Sequence, residues 1–243
     1  MVKKTNKKEK AVPKLEESIL IEKNIEKKTE SRKKYHQLYW ILGTLAILIG
    51  IFFLSSYFFS KTNTFEYEGL TFTKEKFGEI PVFHYYYYIT PQIKYNLYIR
   101  NDPRKNNIPL TGKVVDNGIE FFNSNFIYLS VNPEDLTQCE YTRVGIGTLA
   151  SFLADNQLNV VGAAPFEDLA KEANVIYATC DTSPHGEEDT VIVLQAGDKT
   201  EIVHDKENCY VINVANCEIL EAIEKFEVQS ILDAKLRREA DKN

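Results

Sequence analysis

The sequence predicts a single-pass membrane protein with an α/β (α+β) ectodomain, in which an N-terminal antiparallel β-hairpin region precedes a mixed sheet flanked by helices. Three observations predict this class: an uncharged apolar run near the N-terminus, aromatic strand-like segments after it, and strand and helix patterns that alternate further on. The predicted boundaries are a basic, disordered cytoplasmic tail at 1–34, a transmembrane signal-anchor helix at 35–60 and an extracytoplasmic domain at 61–243.

The apolar run covers residues 38–59 and contains no acidic or basic side chain in its 22 positions. At about 1.5 Å per residue, it is long enough to cross a bilayer core of about 30 Å. Tyr39, Trp40 and Tyr57 lie near its ends, where aromatic rings favour the headgroup region. The alternative is a cleaved signal peptide, but the long preceding tail and the lack of a small-x-small cleavage site near Ser60 favour an uncleaved anchor.

The charge of the chain changes sign across this run. Residues 1–37 carry 12 Lys and Arg against 6 Asp and Glu, whereas residues 61–243 carry the remaining 17 and 29, a net charge of −12. The excess of basic residues beside the span predicts a cytoplasmic N-terminus and an extracytoplasmic C-terminal domain. An acidic domain of this kind is not expected to bind nucleic acid, because a phosphate backbone requires a basic surface.

Two hairpins are predicted at the start of the outer domain. Residues 65–67 and 70–72 flank a Glu-Gly turn. Residues 82–89 and 95–99 are rich in aromatic and β-branched side chains, which are typical of strands, and a short Pro-containing loop joins them. Both pairs are therefore predicted to be antiparallel.

The second hairpin contains four consecutive tyrosines. Because side chains alternate along a strand, Tyr85 and Tyr87 are predicted on one face, and Tyr86 and Tyr88 on the other. An exposed aromatic platform that binds a carbohydrate or a protein partner is one interpretation. We favour the simpler interpretation of a strand that is buried on both faces or stacked against helices.

Strand and helix patterns alternate in the second half of the domain, which indicates parallel strands joined by crossovers. The strand at 190–195 is predicted to be antiparallel, because the connection before it is short for a crossover. The predicted elements are strands at 126–131, 159–164, 174–179, 190–195, 200–203 and 209–214, and helices at 138–156, at 165–172 and after Asn216.

Two helix starts carry capping signals. Thr137 and Glu140 have the spacing of a capping box, and Asn216 is the predicted N-cap of the closing helix. Gly145 and Gly147 belong to a G-x-G-x-x-A motif, but they fall inside the predicted helix and not at a strand-to-helix turn. The glycines are therefore predicted to let the helix approach the sheet, and no motif predicts a cofactor.

All four cysteines, Cys139, Cys180, Cys209 and Cys217, lie in the predicted outer domain. An even number of cysteines in an oxidising compartment favours disulfides. Cys139 starts a predicted helix and Cys180 ends a predicted strand, so both are expected at one sheet edge; we favour this pair and leave the second bridge open. Alternatively, Cys139 is a nucleophile whose thiolate is favoured by the helix dipole.

Arg100, Asp102 and Arg104 form a candidate ligand-binding group after the second hairpin. Two arginines, one on each side of Asp102, can hold a carboxylate or a phosphate through paired hydrogen bonds. In an acidic domain, arginines that pair with local carboxylates are the simpler interpretation.

Asp181, His185 and Glu187 form a candidate metal-binding group in an acidic loop. Carboxylate and imidazole groups are suitable ligands for a divalent cation, and a metal-assisted hydrolase would use them. Their spacing matches no established metal motif, so a solvated acidic loop is the simpler interpretation.

Three segments resemble parts of uncharacterised archaeal single-pass membrane proteins. They are the F-x-Y-x-G-L-x-F pattern at 65–72, the sequence YIRNDPR at 98–104 and the sequence NCEIL at 216–220. The resemblance implies an archaeal envelope setting and supplies no catalytic residues.

The sequence thus favours a non-catalytic module that binds another protein or helps to assemble the envelope, with the lipid bilayer as its second partner. A membrane-tethered, metal-assisted hydrolase and a small-ligand receptor are the alternatives. Ala46 and Gly50 leave room for a second helix in the membrane, so a homo-oligomer remains open.

Overall fold

The computed structural model describes residues 36–57, 63–114, 118–121 and 126–240, without the side chains of Asp135, Glu187 and Asp205. The chain divides into two compact units, Met1–Thr62 and Asn63–Asn243. In the first unit, helix α1 (His36–Tyr57) is long and apolar enough to cross a membrane. The predicted tail at 1–34 lies outside the described residues.

The second unit begins with a four-stranded antiparallel sheet, which confirms both predicted hairpins. Glu68 and Gly69 join the first two strands, and both have positive φ, as the tight type I′ hairpin turn requires. The strands, in spatial and sequence order, are β1 (Thr64–Tyr67), β2 (Leu70–Phe77), β3 (Ile80–Thr90) and β4 (Ile93–Ile99).

A seven-stranded mixed sheet and three helices complete the unit. The helices are α2 (Thr142–Asp155), α3 (Glu167–Ala173) and α4 (Ile219–Ala240). The strands are β5 (Leu110–Thr111), β6 (Ile127–Val131), β7 (Val160–Ala164), β8 (Ile176–Tyr177), β9 (Thr190–Ala196), β10 (Glu201–Lys206) and β11 (Cys209–Val214). Their spatial order is β5-β10-β11-β9-β6-β7-β8, and the only antiparallel pair within the described sheet is β10 with β11.

Helices α2 and α4 contact both sheets. Phe72 and Leu97 from the antiparallel sheet share one core with Leu149 of α2, Phe226 of α4 and Ile192 of the mixed sheet. The two helices thus form a layer between the sheets. This arrangement explains why α4 buries most of its circumference, including three acidic residues, Glu224, Glu227 and Asp233.

The prediction that the strand at 190–195 is antiparallel was wrong. Strand β9 pairs in parallel with both β6 and β11. Because β8 has only two residues, the connection runs from 178 to 189 and is long enough to return across the sheet. The Ser130 hydroxyl donates to the Ala178 carbonyl at 2.7 Å, so this crossover lies against β6 on the face opposite α2 and α4.

Neither predicted helix cap is formed as expected. Thr137 follows a short 3₁₀ helix, Glu134–Leu136, and its hydroxyl donates to the Glu134 carbonyl at 3.0 Å; α2 begins only at Thr142. Asn216 has a φ of 50° and lies in a left-handed turn before α4. Helix α2 has no side-chain hydrogen bond at its N-cap, Tyr141.

All four cysteines form disulfides, as predicted, but the favoured pairing was wrong. The bridges are Cys139–Cys217, with Cα atoms 5.2 Å apart, and Cys180–Cys209, with Cα atoms 5.4 Å apart. The chain segments that lead into α2 and α4 lie side by side, whereas the crossover carries Cys180 back to the start of β11. Because Cys139 is bridged, it has no free thiol to act as a nucleophile.

Candidate functional site

The outer face of the antiparallel sheet carries a group of exposed tyrosines. Tyr86 and Tyr88 of β3 are 51% and 55% exposed, and Tyr98 of β4 is 47% exposed. Tyr85 and Tyr87 turn to the opposite face and pack against the core, as the period of two predicts. The strand is therefore stacked against helices on one face and open to solvent on the other. We call the surface formed by Tyr86, Tyr88 and Tyr98 the tyrosine face.

His84 organises this surface. Its ring stacks on Tyr98 with centroids 4.5 Å apart, and Nδ1 donates to the Glu75 carboxylate at 2.9 Å. Its Nε2 lies 3.2 Å from the side-chain amide oxygen of Asn96. Lys94 Nζ lies 3.7 Å from the centre of the Tyr86 ring. These contacts link β2, β3 and β4 across the sheet.

The tyrosine face has the composition of a protein-binding surface. Tyrosine offers a large, rigid, amphipathic contact area at a low cost in conformational entropy, and its hydroxyl both donates and accepts hydrogen bonds. Soluble proteins seldom expose aromatic side chains as a group unless the group has a binding role. Charged groups of both signs, Lys94 and Glu75, border the rings, as they do at the rim of many interfaces.

The candidate ligand-binding group at Arg100, Asp102 and Arg104 is engaged locally. Arg104 forms two hydrogen bonds with the Asp102 carboxylate, at 2.9 Å and 2.6 Å, and these bonds hold the pKa of Asp102 below its ordinary value. Its guanidinium also covers the Phe65 ring at 3.8 Å. The Arg100 guanidinium lies 5.2 Å from the Tyr141 ring centre, so the two arginines do not converge on one point.

The candidate metal-binding group is also dispersed. Asp181 forms a salt bridge with Lys206, and Nδ1 of His185 lies 3.1 Å from the buried carboxylate of Asp189. The Glu187 side chain lies outside the described part of the structure. Within the described residues, no group of three His, Cys, Asp or Glu side chains is arranged to hold a metal ion.

Two buried acids of α4 were not singled out from the sequence. Glu224 accepts hydrogen bonds from the backbone N–H groups of Arg100 and Asn101 at 2.6 Å and 3.0 Å, so it closes the end of β4. Burial raises the pKa of Glu224 to about 7, against the effect of these bonds. Burial and the nearby Glu224 raise the pKa of Glu227 well above its ordinary value, and Glu227 Oε1 is buried without a hydrogen-bond partner in the described structure.

The glycine motif has a structural role. Gly145 and Gly147 both lie inside α2, as predicted. A Cβ on Gly145 would lie 2.9 Å from Cδ1 of Ile223, so this glycine allows α2 to approach α4, and not the sheet as expected. Gly147 faces open space.

Comparison of the chain with protein-family models, with curated proteins and with solved structures finds no match. The resemblance to archaeal membrane proteins therefore stays an expectation.

Proposed function

We propose that this protein is a membrane-anchored, non-catalytic binding module that recognises another protein through the tyrosine face. The observation that carries the proposal is the exposure of Tyr86, Tyr88 and Tyr98 on one ordered sheet surface. Interfaces concentrate binding energy in a few aromatic anchors, and tyrosine is among the most frequent.

The proposed location follows from charge and cysteine chemistry. Helix α1 would hold the chain in the membrane, and the basic residues before it favour a cytoplasmic N-terminus. The two disulfides fit an extracytoplasmic domain, because disulfides persist in oxidising compartments. The tyrosine face would then be presented to partners in the envelope.

Site-specific photocrosslinking in native membranes tests the proposal. A benzophenone amino acid replaces Tyr88 in one version of the full chain and Phe166 in another. Phe166 is the matched control, since it is 56% exposed and lies between β7 of the mixed sheet and α3. We expect a discrete crosslinked protein from position 88 that is not obtained from position 166.

A second substitution separates a specific interface from random encounter. Tyr86→Arg alters the tyrosine face without touching the core, so we expect it to abolish the crosslink from position 88 while the protein stays folded. The same crosslinked species from both positions, or a species that survives Tyr86→Arg, would contradict the proposal.

A further inference from the structure

A cavity of about 400 Å³ lies between the inner face of the antiparallel sheet and the helical layer. Tyr85 and Tyr87 of β3 form one wall, and Phe152 of α2 forms another. Ile231 and Ala234 of α4 line the side toward the helix. The volume is within the range of small-molecule sites, which are mostly apolar with a few placed polar groups.

All the charged groups of the cavity that the structure describes are cationic. Lys235, Arg237 and Arg238, from the last turns of α4, line it, and none of the described residues that line it is acidic. Basic residues at a helix C-terminus often serve only the helix dipole, which explains why the sequence pattern did not single them out. Three cations around an apolar space are unusual in a domain whose net charge is −12.

Lys235 already has partners on the protein. Its Nζ donates to the Gly69 carbonyl at 2.8 Å and lies 3.9 Å from the Glu239 carboxylate. This lysine therefore joins α4 to the first hairpin turn. Because Glu239 partly offsets its charge, Lys235 contributes less than a full positive charge to the cavity.

The two arginines differ in how far the protein engages them. Arg237 donates through Nη2 to the Ile119 carbonyl at 2.7 Å, but its Nε is buried and has no hydrogen-bond partner in the described part of the chain. Arg238 is exposed and forms no salt bridge with any described carboxylate. Burial raises the pKa of Tyr85, and the positive charge of Arg238 opposes this, so the charge lies close to the tyrosine wall.

We propose that this cavity binds a small amphipathic anion, with an aromatic or aliphatic body and one terminal carboxylate or phosphate. The body would lie between Tyr85 and Phe152, and the anionic group would accept hydrogen bonds from the exposed Arg238 guanidinium, with the charges of Arg237 and Lys235 beside it. An arginine fork matches the planar oxygens of a carboxylate or phosphate. A cationic ligand would meet three like charges, and a neutral ligand would leave these charges without a counter-charge.

This inference is independent of the proposed protein-binding role. The cavity uses the inner face of β3 and the end of α4, whereas the tyrosine face uses the outer face of β3. Each proposal can therefore fail without the other.

Four naphthalene probes of nearly equal size test the charge requirement: 2-naphthoate, 2-naphthyl phosphate, 2-naphthylmethanol and 2-naphthylmethylammonium. Their binding to the full chain in phosphatidylcholine nanodiscs is measured by calorimetry, with empty nanodiscs subtracted. We expect at least one anion to bind about tenfold more tightly than the alcohol, and the ammonium probe to bind more weakly still. The tighter of the two anions identifies the preferred headgroup.

Three variants decide whether binding occurs in this cavity. We expect Arg238→Gln to weaken the anions by about tenfold and to leave the alcohol unchanged. Arg143→Gln, on the exposed start of α2, is the matched control and should change nothing. Ala234→Leu should fill the space and weaken the anions and the alcohol alike, with circular dichroism showing that each variant is folded.

Equal affinities for the anions and the alcohol would overturn the proposal. It would also be overturned if Arg143→Gln had the same effect as Arg238→Gln, or if Ala234→Leu folded normally and bound 2-naphthoate as the wild type does.

Discussion

The two sheets of the second unit, Asn63–Asn243, differ in how they are covered. In the mixed sheet, helices cover one face and the crossover at 178–189 covers the other, so the first five residues of β9 are all buried. In the antiparallel sheet, the outer face is open around Tyr86 and Tyr88, and burial in the middle of β3 alternates between neighbouring residues. A disulfide between Cys209 and Cys180 also links the mixed sheet to the crossover, whereas the antiparallel sheet contains no cysteine.

This difference separates stability from recognition. The mixed sheet has no large exposed aromatic group on its central strands, so we assign it the supporting role. The antiparallel sheet presents tyrosines to solvent on one face and lines the cavity with the other. Substitutions in or around the mixed sheet should therefore change mainly stability, and substitutions on the tyrosine face mainly binding.

The largest expected effect is the loss of the disulfides on the mixed-sheet side. On the chain-entropy model, replacing both Cys139 and Cys217 with serine should lower the free energy of unfolding by about 4.5 kcal/mol. Replacing Cys180 and Cys209 should lower it by about 3.5 kcal/mol, because 29 positions separate these residues instead of 78. Urea unfolding followed by circular dichroism measures both changes.

Peptide mapping under non-reducing conditions is the control for this prediction. It should recover Cys139 linked to Cys217, and Cys180 linked to Cys209. A peptide in which Cys139 is linked to Cys180 would contradict the structure, and equal stability of the wild type and both double variants would contradict the assigned role of the bridges.

The second effect concerns the helical layer beneath the antiparallel sheet. Because the pKa of Glu224 is raised to about 7, folded Glu224 binds more protons than the unfolded chain between pH 4.5 and pH 7. The free energy of unfolding should therefore fall as the pH rises through this window, by about 3 kcal/mol for Glu224 alone. The pKa of Glu227 is also raised by burial, which adds a loss of the same sign.

Glu227→Gln tests the predicted fall in the free energy of unfolding with rising pH. The amide stays neutral at every pH in the window, so the variant should lose less stability than the wild type between pH 4.5 and pH 8. Glu172→Gln, an exposed substitution on α3, is the control and should leave the slope unchanged. A wild-type stability that rises with pH in this window would contradict the assignment.

The antiparallel sheet could be predicted well from the sequence because its signals are local. The alternation of apolar and polar residues and the two-residue Glu-Gly turn determine the register of the first hairpin without reference to distant residues. The orientation of β9 could not be predicted, since it depends on the path of the crossover. The disulfide pairing failed for the same reason: Cys217 reaches Cys139 only after α2 and α4 pack together.

The candidate sites show the same limit. Tyr86 and Tyr88 were recognisable as one face of a strand, but their exposure depends on the helices that cover only the other face. Arg237 and Arg238 are ordinary residues for a helix end, and they acquire meaning only when α4 places them beside Tyr85. Contacts between segments more than a hundred residues apart leave no local pattern.

A third effect tests the packing of the helical layer that both sheets share. Gly147→Ala should raise the free energy of unfolding by about 1 kcal/mol, because alanine favours a helix and nothing described lies within 4 Å of the new Cβ. Gly145→Ala gains the same propensity but would press on Ile223 and Ile219 in the core, which costs about 1–3 kcal/mol. The two variants should therefore differ by about 2 kcal/mol in urea unfolding, and equal stabilities would show that α2 does not approach α4 closely.

The smallest expected effect separates the two faces of β3 directly. The Tyr87 hydroxyl donates to Asn156 Oδ1 at 2.5 Å in a partly buried position, so Tyr87→Phe should lower the free energy of unfolding by about 1 kcal/mol. Tyr88→Phe removes the same hydroxyl from a side chain that is 55% exposed, and it should leave stability unchanged. If Tyr88 contacts the proposed partner through its hydroxyl, Tyr88→Phe should also weaken non-covalent binding of the partner that the crosslink identifies. The two hydroxyls, one residue apart, would then report separately on the stability of the fold and on binding at its surface.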